Sequence, residues 1–248
     1  MIMNERISKK MLLTGATSGI GRYLAQHFLS AGFTLYLHGR DRKKLAALAK
    51  KLGSGDYVLL EGEYGDPKSI SRMFAELASK TKVLDVLVNN AFGKLESELV
   101  ETDGEALAEF FRVSLAGTAD VIRQAVPLLK RSKAARIVNI VADWGIPMHN
   151  IMTGPSAYIA AKYGVYGLGV ALQTELAKLR IRTTNLCPGI VAADTEFGTT
   201  DQAFENSKGQ SAINPKELAN SIEFVLGQTS THVRAIVLSP RNPAYNGL

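Results

Sequence analysis

Short apolar runs alternating with longer amphipathic stretches predict a doubly wound α/β fold: a parallel sheet of about seven strands with helices on both faces. Three observations carry this expectation. The strand candidates are nearly continuous in apolar residues rather than alternating, as strands buried on both faces are. The stretches between them repeat apolar residues three and four apart, as in Leu45, Leu48 and Leu52 or Val165, Leu168, Leu172, Leu176 and Leu179, the spacing of a helix with one buried stripe. A glycine-rich turn joins the first strand to the first helix, where such folds bind phosphate. In order, the strands are expected at residues 10–14, 34–37, 57–60, 84–88, 136–141, 181–186 and 235–238, joined by right-handed crossovers.

The 248 residues form one expected dinucleotide-binding and catalytic domain, 1–248, since no linker, repeat or low-complexity tract divides the chain. A content of 46% hydrophobic and 21% charged residues excludes a disordered or collagenous chain. The longest run without Asp, Glu, Lys or Arg, residues 144–161, holds Pro147, Pro155, His149 and Asn150, a poor match to the ~20 apolar residues of a membrane span. No apolar leader follows Met1, so a cytoplasmic location is expected. The single cysteine, Cys187, excludes an internal disulfide and any multi-cysteine metal site. The net charge of +6 is spread along the chain without a basic–aromatic pattern, so neither nucleic acid nor membrane is expected as a partner.

The first strand runs into Thr14-Gly15-Ala16-Thr17-Ser18-Gly19-Ile20-Gly21. Glycine permits positive φ and close approach of a phosphate, while N–H groups at the helix start favour an anion. A phosphate-bearing cofactor fits this turn, and the absence of a following Gly-Lys-Ser/Thr argues against a P-loop NTPase. After the second strand, His38-Gly39-Arg40-Asp41-Arg42-Lys43 places no acid at the strand end for a ribose 2′-hydroxyl. Arg40 offers instead a planar fork suited to a 2′-phosphate, so NADP is the expected cofactor. Tyr158 and Lys162 stand four apart, on one face of a helix. An ammonium beside a phenol stabilises its phenolate, which makes tyrosine usable as an acid or base near neutrality.

The turn 14–21 matches T-G-x-x-x-G-I-G throughout. Together with Asn89-Asn90-Ala91, Tyr158-Ile159-Ala160-Ala161-Lys162 and Pro188-Gly189, in matching order, it resembles the short-chain dehydrogenase/reductase family. The resemblance implies that Tyr158 exchanges a proton with an alcohol or carbonyl oxygen while nicotinamide exchanges hydride, and that Lys162 also binds the ribose. It further implies cofactor contacts at Gly15, Thr17, Ser18, Gly19, Ile20, Gly21, Asn90, Ala91, Pro188 and Gly189, at Glu63 and Tyr64 for the adenine, and at Thr195. The end of the chain, 235–243, lacks the family's common D-G-G and looks more like the branch of the hydroxy-amino-acid dehydrogenases.

Several positions depart from the family pattern. Ala142 stands where the family's catalytic serine ends the fifth strand, in Asn139-Ile140-Val141-Ala142-Asp143-Trp144-Gly145. The 16 positions from Ala142 to Tyr158 exceed the family's spacing, so an insertion could return Thr153 or Ser156 to the site, with Asp143 the nearest polar side chain. Ser114 replaces the asparagine that holds a relay water, and is expected to serve with Tyr158 and Lys162 in catalysis. The threonine of P-G-x-V-x-T is Ala193, unless two inserted residues make it Thr195.

These features point to an NADP-dependent oxidoreductase acting on a small carbonyl or secondary alcohol. The alternative is a cofactor-binding member without redox activity, a sensor, structural or dehydratase-like protein, which the missing serine would suit. Loops 143–155 and 190–214, with Trp144, Ile146, Met148, Ile151, Met152 and Phe197, are the expected substrate walls. Small residues after Tyr158 (Ala161, Gly164, Gly167, Gly169, Ala171) could pack on a symmetry mate. The family resemblance points to a homodimer or homotetramer.

Overall fold

The computed structural model describes residues 9–95, 97–146, 155–192 and 212–240. Seven strands, β1 (Lys10–Leu13), β2 (Thr34–Gly39), β3 (Tyr57–Glu61), β4 (Val86–Asn89), β5 (Arg136–Ile140), β6 (Arg182–Pro188) and β7 (Ala235–Leu238), form one sheet in the order β3-β2-β1-β4-β5-β6-β7. Every pairing is parallel. The chain winds outward from β1 to β3 and then restarts beside β1 with β4, so a crevice opens where the carboxyl ends of β1 and β4 part.

Successive strand side chains take opposite faces, and both faces are covered. Met11 and Leu13 pack with Leu24 and Phe28 of α1 (Gly19–Ser30) and with Leu218 and Ile222 of α7 (Pro215–Gly227). Leu48 of α2 (Arg42–Leu52) joins the same cluster. Leu12 faces the other way, onto Leu77 of α3 (Pro67–Lys80), Val121 of α5 (Thr118–Leu129) and Leu172 of α6 (Ser156–Glu175). This two-sided burial explains the unbroken apolar runs, of which the fully buried β2 is the extreme case.

Local signals fix the helix starts. Asp41 accepts from the backbone N–H of Lys43 and Lys44, Asp66 from Lys68, and Asn214 from Lys216, each occupying donors that a helix end leaves unbonded. Pro67 and Pro215 follow two of these caps, where a missing N–H costs nothing. Asp103 caps α4 (Gly104–Phe111), which continues through a π-helical turn (Arg112–Gly117) into α5. A Cβ on Gly117 would stand 2.5 Å from the Tyr64 carbonyl oxygen, so glycine lets this turn close on the loop after β3.

Six of the seven strands differ from the expected bounds by one or two residues at an end, and two of these shifts show their cause. Leu84 is buried but bonds the Leu128 carbonyl ahead of β4, packing in the core without joining the ladder. β6 runs on to Pro188 because Cys187 and Pro188 pair with β7. On α6 the small residues divide. Ala161 is fully buried, Gly169 packs on the Asn185 side chain and Gly164 on Leu115, so these three serve packing within the chain, while Gly167 and Ala171 are exposed. Residues 147–154 and 193–211, most of both expected substrate walls, lie outside the described residues. No described helix is long and apolar enough to cross a membrane.

Candidate active site

A cleft of about 840 Å³ follows the carboxyl edge of the sheet from β2 to β6. Its centre is the turn after β1. Gly15 sits at φ +62°, and a Cβ on Gly21 would lie 2.1 Å from the Gly15 carbonyl oxygen; the backbone is bare because side chains cannot be accommodated. Asn90 clamps this turn, its Nδ2 lying 3.0 Å from the carbonyls of Thr14 and Gly15 and 3.1 Å from Ser18 Oγ. Thr14 Oγ1 accepts from the N–H groups of Asn90 and Ala91, both at 3.0 Å. Ser18 Oγ caps α1 by accepting from Gly21 N, and Gly19 and Ile20, whose N–H groups have no carbonyl a turn before them, line the cleft.

At the β2 end Arg40, Asp41 and Lys44 line the cleft, with Glu63 and Tyr64 from the loop after β3. The Asp41 carboxylate caps α2, and those two backbone donors, first of all Lys44 N, hold its pKa below the usual value. The bare turn, the start of α1 and cations at the far end fit an elongated, phosphate-bearing dinucleotide.

At the other end α6 brings Tyr158 and Lys162 to the cleft one turn apart. Lys162 is 5% exposed, its Nζ 3.4 Å from the Ile140 carbonyl and 3.7 Å from the centroid of Phe92. Burial pulls its pKa down to about 7, since a charged amine loses solvation there. Tyr158 packs edge-on against Phe92 and Trp144, at 5.4 and 6.2 Å between ring centroids. Burial first, and the Asp143 carboxylate second, raise its pKa. Cys187 lies beside Lys162 in the apolar layer behind, its thiol pushed up to about 12 by burial, which makes it inert.

An amide ladder supports this end. Asn89 donates to Asn139 at 2.8 Å, Asn139 to Asn185 at 3.1 Å, and Asn185 to the Tyr166 carbonyl of α6 at 3.0 Å. Their register on β4, β5 and β6 is side by side, so the ladder ties the sheet to the helix that carries Tyr158.

Gly15, Thr17, Ser18, Gly19, Ile20, Arg40, Glu63, Tyr64, Asn90, Ala91, Tyr158, Lys162, Pro188 and Gly189 all line the cleft. Gly21 lies behind it, closing the turn. Ser114 is fully buried in the π-helical turn, its Oγ accepting from Gly93 N at 3.1 Å, and does not line the cleft. Ala142 does line it, extended and 9% exposed, so a methyl group stands at the end of β5. Ser156 opens α6, whereas Thr153 and Thr195 lie outside the described residues. Among the lining residues to which the sequence reading gives no role are Phe92 and His38. The only sequence signals were an aromatic residue next to Asn-Asn-Ala and a polar ring inside an apolar strand.

The family model for short chain dehydrogenases matches residues 9–204. An uncharacterized oxidoreductase of Staphylococcus saprophyticus is 30% identical, covering 96% of this chain and 100% of its own length. A D-beta-hydroxybutyrate dehydrogenase of Rhizobium meliloti is 29% identical over 75% of this chain and 72% of its own. Among solved structures, a variant actinorhodin polyketide ketoreductase with NADPH superposes with a TM-score of 0.80 at 25% identity, covering 96% of this chain and 98% of its own. These likenesses extend over nearly the whole chain, which belongs to the short chain dehydrogenase family and is an oxidoreductase.

Proposed function

We propose that the chain is an NADP-dependent oxidoreductase that interconverts a carbonyl and a secondary alcohol on a small molecule, with Tyr158 as acid and base. The observation that carries this reading is Tyr158 paired with buried Lys162 at one end of a cleft whose other end presents Arg40. When bound, the nicotinamide gives or takes the hydride. Tyr158 Oη donates its proton to the carbonyl oxygen as that oxygen gains charge, and accepts it back in the alcohol direction. Lys162 donates to the ribose hydroxyls, and as an ammonium it offsets the rise in the Tyr158 pKa that burial and Asp143 impose. Arg40 takes the 2′-phosphate, a role favoured because the neighbouring acid, Asp41, caps α2. Glu63 and Tyr64 border the adenine. Ser114 holds the backbone at Gly93, next to Phe92 and the dyad. The names of two relatives, a hydroxybutyrate dehydrogenase and a ketoreductase, support a carbonyl or alcohol substrate. Assembly as a homodimer or homotetramer through the exposed side of α6, where Tyr163 and Val170 accompany Gly167 and Ala171, completes the reading.

One observation favours a second reading, a dinucleotide-binding member without redox turnover: Ala142 gives the site no hydroxyl at the end of β5. Loss of one such donor costs roughly 10²- to 10³-fold in rate. Incubation with NADPH and a panel of ketones separates the two. Ketone-dependent NADPH oxidation supports the oxidoreductase, and NADPH binding without oxidation by any ketone supports the alternative.

A further inference from the structure

We propose that His38 is a positioning residue for the cofactor turn: its imidazole, bridging the Gly15 N–H and the Gly62 carbonyl, sets the backbone on which the cofactor's phosphates rest. The proposal rests on the reading of the cleft as a dinucleotide site. His38 is 2% exposed near the end of β2. Gly15 N donates to its Nδ1 at 3.4 Å. An accepting Nδ1 carries no proton, so Nε2 carries it and donates to the Gly62 carbonyl at 3.0 Å. A single neutral tautomer satisfies both contacts, and the imidazolium cannot, because it has no acceptor left for Gly15. The carbonyl of His38 also accepts from Ala16 N at 2.8 Å. One residue therefore holds two successive N–H groups of the turn, one through its ring and one through its backbone.

The ring is fixed from its other sides as well. It stacks on Tyr64 at 5.2 Å and 25°, and a Cβ on Gly62 would come within 3.4 Å of it. The loops after β1 and β3 thus meet on a side chain of β2. Tyr64 is the titratable group stacked on the ring; Gly15 and Gly62 are uncharged, and Arg40 and Glu63, nearest along the chain, line the open cleft. Burial lowers the imidazole pKa to about 4, so the accepting form persists throughout the neutral range.

Two substitutions separate the acceptor from the shape. His38→Asn presents Oδ1 near the position of Nδ1 and does not titrate; His38→Phe keeps a stacked ring and offers no acceptor. His38→Gln, whose amide can reach Gly62 without an acceptor at Gly15, replaces the Phe variant if that one fails to fold. Affinities for NADPH and NADH are measured at pH 7 by nicotinamide fluorescence. A lost acceptor leaves a buried N–H unsatisfied, so His38→Phe or His38→Gln should weaken both cofactors about tenfold or more and by the same factor, because the turn meets the part common to both. His38→Asn should stay within about threefold of the unmodified chain. Equal affinities in all variants overturn the role of His38 alone. Loss confined to NADPH overturns it too, by moving the effect to the 2′-phosphate. Failure of the unmodified chain to bind either dinucleotide overturns the cofactor reading and this role with it.

Discussion

Lys162 Nζ lies 3.7 Å from the centroid of the Phe92 ring and 5.6 Å from that of Tyr158. The amine is therefore closer to the Phe92 ring than to the ring of Tyr158. A π-face attracts an ammonium weakly compared with water, which is consistent with the lysine's lowered pKa.

With Lys162 in its proposed contact with the ribose, a pKa of about 7 should give cofactor binding a pH dependence. The folded value is depressed from 10.5, so above pH 7 the free protein must take up a proton before the ammonium can meet the ribose. NADPH affinity should fall as pH rises from 7 to 9, by up to about tenfold per unit. Lys162→Met should bind weakly and without this slope. Titrations at fixed ionic strength across that range check it.

Arg40 should decide between the two cofactors. Arg40→Ala is expected to weaken NADPH binding by about 10- to 100-fold, the loss of a charge-assisted contact, and to leave NADH unchanged. Equal affinity of the unmodified chain for both would remove the argument from Arg40.

His38 should make the fold acid-sensitive. Its folded pKa of about 4 lies below the 6.5 of an unfolded chain, so between these values the unfolded state binds more protons. The contribution is complete above pH 6.5 and is lost as pH falls toward 4, at up to about 1.4 kcal/mol per unit. His38→Asn should flatten this part of the stability profile, as urea unfolding at pH 7.5 and 5 would reveal.

Removal of the middle rung of the amide ladder should be costly. Asn139→Leu strands the Asn89 amide donor and the Asn185 acceptor in the core, an expected loss of about 2 to 4 kcal/mol. Urea unfolding measures it, and a cost under about 1 kcal/mol would mean that water or rotation satisfies the partners.

The strands were legible in the sequence because burial on both faces leaves an unbroken apolar run, and the glycine turn because bare backbone needs glycine. Leu84 read as a strand residue because core packing and ladder pairing select the same side chains. On α6 the sequence does not separate Ala161, Gly164 and Gly169, which pack within the chain, from exposed Gly167 and Ala171, because close approach to β6 at Asn185 and approach to another subunit both call for a small residue. Phe92 and His38 were not legible, since each acts through partners far away in sequence. A histidine that joins Gly15 to Gly62 has no local spacing by which to be found.

Ala142→Ser should restore a donor to the developing alkoxide and raise turnover of a generic ketone. The gain depends on how closely the end of β5 places the hydroxyl. Steady-state kinetics measure it, and lower turnover would indicate that the methyl group is part of the substrate site.

The most direct measurement is turnover of a reducible ketone with NADPH by the unmodified chain and by Tyr158→Phe, alongside NADPH affinity for both. The account predicts unchanged cofactor affinity and loss of turnover by at least about 10²-fold in the variant, as removal of the proton donor requires. Turnover in Tyr158→Phe equal to that of the unmodified chain would contradict it.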